Sequence, residues 1–192
     1  MSPKKLPTVD FKTALIMLAI ILLGIGSRIW LVDSPNFKPV AALALFAGFY
    51  FRSIWPAIVA IAATLVGSDL LLGVYETPVM LAVYASTALA IFVGVIVKRR
   101  FEQNSSRGLL FGKFAVASMA VSVSFFVLTN FAVWAVGGWY PQTLSGLVDC
   151  FLAAIPFFRW TLISDFAFGQ ILVAAYCVSL SPNEELSYRP SA

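Results

Sequence analysis

Long apolar runs broken by short polar or proline-containing segments fill most of the chain. The first opens at Thr13, after Lys4, Lys5 and Lys12, and continues to about Leu31. Asp33 to Pro39 carries two prolines and Asn36, a composition that breaks a helix. A shorter run, Val40 to Phe51, follows; about 12 residues is short for a full crossing. Three of the remaining runs begin at or next to prolines, where the first turn of a helix tolerates them. Pro56 starts a run to Leu72, Pro78 starts one ending before Lys98, and Pro156 starts one from Phe157 to Leu180. Between them, Leu109 to Val136 forms an uninterrupted stretch closed by Gly137-Gly138-Trp139-Tyr140-Pro141. Thr143 to Ile155 is apolar but carries Asp149, and reads as a short helix lying at a membrane interface or dipping into it.

The periodicity therefore predicts an all-α, polytopic membrane protein: a compact bundle of six transmembrane helices plus one short interfacial helix. It divides into a cytoplasmic N-terminal segment (1–12), a single helical bundle (13–180) and a cytoplasmic tail (181–192). The first run lacks an A-x-A cleavage site after Ile25, so it is expected to stay attached as a helix. Composition agrees with a lipid environment. Apolar residues make up 60% of the 192 residues and charged residues 11%, against roughly 25% charged in a soluble domain.

The basic residues sort by loop. With the N-terminus inside, ten of the 13 lysines and arginines fall on the cytoplasmic side; only Arg28, Lys38 and Arg159 fall on the other. That bias orients the bundle with both termini cytoplasmic. The basic residues form no nucleic-acid stripe, so no nucleic-acid partner is expected.

Ionisable side chains inside a bilayer cost at least a few kcal/mol unless they are paired or face water. Arg28, Asp69 and Asp165 all fall in the outer halves of their helices, and Asn130 and Trp134 occupy the last turns of the Leu109–Val136 run. With Asn36 in the adjoining loop, these six residues are the candidate substrate-binding set around one outward-facing cavity. Arg28 would hold an anionic group, the aspartates would accept from amines or hydroxyls, and Trp134 would stack. The plainer readings are an Arg28–Asp69 structural ion pair, interface anchoring by Trp139, Tyr140 and Trp160, and Arg159 snorkelling to headgroups.

Other chemistry is thinly represented. The sequence has no histidine, which removes the commonest metal ligand and general base; no metal site and no cofactor are expected. Cys150 and Cys177 read as small apolar residues, with Cys150 the better candidate for touching substrate. No Walker, HExxH or GxSxG motif is present, so the chain cannot hydrolyse ATP alone and is not expected to be an enzyme. Ala82, Ser86, Ala90 and Gly94 recur every four residues, and Ala44 with Gly48 repeats the spacing; such stripes let helix backbones approach closely in lipid.

The segments Ser27-Arg28, Pro35-Asn36-Phe37-Lys38-Pro39-Val40 through Gly48, Ser68-Asp69, Asn130 with Trp134, Gly146 to Phe158, and Asp165 resemble an uncharacterised bacterial family labelled as transport proteins. In size and helix layout the chain is also similar to the substrate-binding S components of energy-coupling-factor vitamin transporters. That second resemblance implies a vitamin-like solute in an outward pocket and a separate membrane energising subunit with ATPases. A small-solute uptake protein, with the lipid bilayer and a small-molecule solute as partners, is the function expected. The alternatives are a non-transporting scaffold or assembly subunit that binds through the Ala82–Gly94 stripe, and an intramembrane enzyme in which Asp69 and Asp165 converge.

Overall fold

The computed structural model describes residues 10–34, 36–51, 53–103 and 106–180. Residues 1–9 of the expected N-terminal segment (1–12), the expected tail (181–192), Pro35 and Arg52 lie outside the described residues. Six helices account for nearly all of the rest: α1 Phe11–Trp30, α2 Val40–Tyr50, α3 Ile54–Leu72, α4 Thr77–Gln103, α5 Arg107–Val136 and α6 Leu144–Ser179. Four start on a polar N-cap: Asp10, Ser53, Ser106 and Thr143 each accept from a backbone N–H of the first turn, satisfying donors that would otherwise be orphaned.

Five of the six, all except α2, are long and apolar enough to cross a membrane, and the chain is a multi-pass membrane protein. Two expectations need correction. First, six crossings plus an interfacial helix become five long helices and one short one. The stretch from Thr143 is not a separate element; it runs through Pro156 into the last crossing as one helix of 36 residues. Proline is tolerated inside membrane helices where neighbours hold the backbone, and α5 lies against α6 on both sides of Pro156. Phe126 packs on Phe151 and Phe158 with ring centroids at 5.4 and 4.4 Å, and Ser122 bonds Asp165. Asp149 is exposed, so its charge breaks nothing.

Second, α2 is the core of the bundle rather than a crossing of its own. At 11 residues it is about 17 Å long, and nine of those residues, Ala41 to Phe49, are buried. A helix apolar on every face must be enclosed on every face. α2 runs parallel to α4 and α6: its first turn meets Asp165 while Tyr50 accepts from Lys98 Nζ and Phe49 packs edge-on against Tyr176. Its crossing with α4 is very close. A Cβ on Gly48 would collide with the backbone of Ile91, and one on Gly94 with the backbone of Leu45 and Phe49. The Ala82–Gly94 and Ala44–Gly48 stripes thus serve each other inside the molecule.

The other contacts fix direction. α1 and α3 run parallel, pairing Gly24 with Thr64 and Arg28 with Ser68, and α5 and α6 run antiparallel. Chain direction therefore alternates through all six helices. Lys12, Lys98 to Arg100, Arg107 and Lys113 gather at one end, and Arg28, Lys38 and the α3–α4 loop at the other.

Candidate functional site

A cavity of about 270 Å³ opens at that second end. Its walls come from every helix: Arg28 of α1, Val40 and Ala41 of α2, Leu65 of α3, Val83 and Thr87 of α4, Phe125 of α5, and Thr161 and Asp165 of α6. Asn36, Lys38 and Tyr75 from the two loops complete it.

Asp165 lies at the bundle's centre with no solvent exposure. Its Oδ1 accepts from the Ala42 N–H at 3.1 Å and its Oδ2 from the Ser122 hydroxyl at 2.7 Å. The Ala42 N–H belongs to the first turn of α2, where no intrahelical acceptor exists and the helix dipole favours negative charge. One carboxylate thereby ties α2, α5 and α6 together while also lining the cavity.

Arg28 is committed to α3. Its guanidinium pairs with Asp69 Oδ1 at 2.7 Å and donates to the Ser68 hydroxyl at 2.6 Å. Asp69 in turn accepts from the Tyr84 hydroxyl at 2.8 Å. With side-chain exposures of 12% and 4%, the pair is shielded from water, so each charge depends on the other. Asp69 stands behind Arg28 and is not part of the cavity wall.

The α1–α2 loop reaches the cavity under tight restraint. Asn36 adopts a positive φ of 58°, a conformation that asparagine tolerates better than most residues. Phe37 is wedged edge-on against Trp160 and Phe168, both at 6.3 Å, and the Thr161 hydroxyl donates to the Asn36 carbonyl at 3.4 Å. Pro39 N-caps α2. Lys38, between these anchors, is half-buried on the cavity wall. Burial, and then the neighbouring positive charge of Arg28, push its ammonium below the usual lysine range. In the same cavity wall, burial and then the Asp69 charge push the Tyr75 phenol up, with Arg28 opposing.

Of the six residues expected to form the site, Arg28, Asn36 and Asp165 line the cavity and Asp69 supports it. Asn130 and Trp134 do not. The Asn130 amide donates to the Phe126 carbonyl one turn back, and Trp134 Nε1 donates to the Pro141 carbonyl. The physical reason is length: Trp134 lies nine residues beyond Phe125 along α5, about 13 Å at 1.5 Å per residue, past the level of the cavity. Cys150 is likewise elsewhere, buried with its thiol near the Asn130 carbonyl at 3.5 Å. The sequence places Lys38 on the outer side without assigning it to the site, and Tyr75, Thr87 and Thr161 are not among the six expected residues. The tight spacing Asn36-Phe37-Lys38-Pro39 was the available signal for Lys38.

No curated protein and no solved structure matches the chain. Residues 9–186 match a family of unknown function, DUF6580. That stretch takes in all six helices and every residue of the cavity wall, so the chain belongs to this family of unknown function.

Proposed function

We propose that the chain is a small-solute uptake protein, similar in working principle to the S components of energy-coupling-factor transporters, which binds a vitamin-like or other small polar or aromatic solute in the cavity at the Arg28–Lys38 end. The observation that carries this reading is the cavity itself. Its wall combines charged and hydroxyl groups with apolar ones contributed by every helix, the makeup of a small-molecule site. The volume, about 270 Å³, lies just below the roughly 300–1,000 Å³ of drug-sized ligand pockets, which points to a small solute. With the basic end cytoplasmic, in a bacterial inner membrane, the cavity faces outward, the side from which an uptake protein collects its solute. The chain has no ATPase motif, so energy comes from a separate membrane subunit with ATPases.

The scaffold alternative loses its main support, because the Ala82–Gly94 stripe is spent on α2. The enzyme alternative needs Asp69 and Asp165 to act on one reacting atom, whereas each is engaged by its own set of donors.

Thermal-shift screening of the purified full chain against vitamins and their precursors tests the proposal. At least one compound should raise the unfolding midpoint, and Val83→Trp, which takes up cavity space while leaving every polar lining residue in the chain, should abolish the rise. A panel with no stabilising compound, or stabilisation undiminished by Val83→Trp, removes the solute-binding reading.

A further inference from the structure

The cavity wall carries two cations, and they stand in different states. Arg28 is already neutralised by Asp69 and held by Ser68. Lys38 has no hydrogen bond or ion pair among the described residues, although it is half-buried beside that second positive charge. An ammonium held in a low-dielectric wall next to another cation is unfavourable unless an anion joins it. The backbone that carries it is fixed on both sides: Phe37 is clamped by Trp160 and Phe168, and Pro39 begins α2. A preorganised cation loses little freedom when its partner arrives.

We infer that Lys38 receives the anionic group, a carboxylate or a phosphate, of the solute that fills this cavity. The inference rests on the solute-binding reading and changes the residue that reads the anion: Arg28 is a positioning group, and Lys38 makes the contact. The remaining lining sets the rest of the solute. The Tyr75 and Thr161 hydroxyls offer hydrogen-bonding groups, and Phe125, Val83 and Leu65 supply apolar surface. The ligand class is a small molecule that combines an anionic group with hydrogen-bonding and apolar parts.

The same ammonium would also suit the phosphate of a lipid headgroup, and the test separates the two sources. The full chain, purified in neutral detergent, is melted in sodium acetate or sodium phosphate against sodium chloride at matched ionic strength, and separately with phosphatidylglycerol added to the micelles. Acetate or phosphate should raise the midpoint of the wild type. Lys38→Gln should weaken the apparent affinity at least tenfold, Lys38→Arg should keep it, and Lys12→Gln should leave it unchanged. An equal response in wild type and Lys38→Gln, or none in either, overturns the inference. A Lys38-dependent response to phosphatidylglycerol alone also overturns it, assigning the lysine to lipid. A Lys38-dependent response to soluble anions with no stabilising vitamin or precursor would leave this assignment standing and remove only the vitamin-like reading.

Discussion

Gly94→Ala opposes two physical effects at one atom. By helix propensity alone, alanine should stabilise α4 over glycine by about 0.8–1.0 kcal/mol. The added Cβ, however, would overlap the Leu45 carbonyl oxygen and sit 2.8 Å from the Phe49 nitrogen. Both are backbone atoms, so no side-chain rotation relieves the contact. α2 cannot step back either, because α3, α5 and α6 enclose it. Overpacking of this kind costs about 1–3 kcal/mol, which exceeds the propensity gain across most of that range. The net expectation is a loss of up to about 2 kcal/mol, and a midpoint lowered by up to roughly 8 °C for a chain of this size. Gly112→Ala on α5 is the control: nothing lies within 4 Å of its Cβ position, so propensity acts alone and the variant should gain up to about 1 kcal/mol. Unfolding in mixed micelles, followed by circular dichroism, reads both. The two variants should move in opposite directions. If Gly94→Ala stabilises as much as Gly112→Ala, the close crossing of α2 and α4 is wrong.

Three further outcomes follow from the site. Asp165→Ala orphans the Ala42 N–H and the Ser122 hydroxyl and should lose about 1–3 kcal/mol, while Asp165→Asn, which can still accept from Ala42, should lose less than half of that in the same unfolding titration. Arg28→Gln and Asp69→Asn each strand a shielded charge and should each cost roughly 3–5 kcal/mol, but the double variant should cost less than their sum; strict additivity would mean the two do not interact. Lys38 titrates lower folded than unfolded, so the folded state binds fewer protons across the interval between the two values. Stability without ligand should rise with pH through that interval, while stabilisation by acetate should fall through it. Both trends should vanish in Lys38→Gln; Tyr75, whose shift is upward from 10.0, opposes the rise only at the top of that interval, so the trends are read below 10.0. Melting curves at stepped pH check both signs.

The membrane class was open to view in the sequence because lipid imposes one requirement, uninterrupted apolar runs of sufficient length, that needs no tertiary information. Helix ends at Trp30, Leu72 and Val136 fell close to the expected positions, since polar or glycine-containing breaks mark them. The errors came where neighbours decide. Pro156 reads locally as a helix start, and only the apposed α5 lets α6 continue through it. The charge of Asp149 suggested a break because nothing in the chain tells which face of α6 it occupies. α2 looked like a deficient crossing, since its enclosure by the five other helices is invisible from its own eleven residues. In the site, Arg28 and Asp165 stood out as charges in oil. Asn130 and Trp134 were drawn in by proximity along the chain to the outer end, a coordinate that ignores how far α5 overshoots the cavity. Lys38 was overlooked because a loop lysine ordinarily reaches water, and the anchors that hold this one belong to α6, more than a hundred residues away.

The enclosure of α2 also constrains how the protein can be made. Its eleven residues leave the ribosome before α3 to α6 exist, yet they are too short to settle alone across about 30 Å of hydrocarbon and have no seat until α4 and α6 arrive. The carboxylate that binds its first turn, Asp165, lies 123 residues further on. During synthesis the second helix must therefore wait, shielded by the insertion machinery or lying at the lipid surface, while the outer wall is assembled around an empty centre. A chain cut short before α6 would leave that helix homeless, so biogenesis should commit only once the final crossing is delivered.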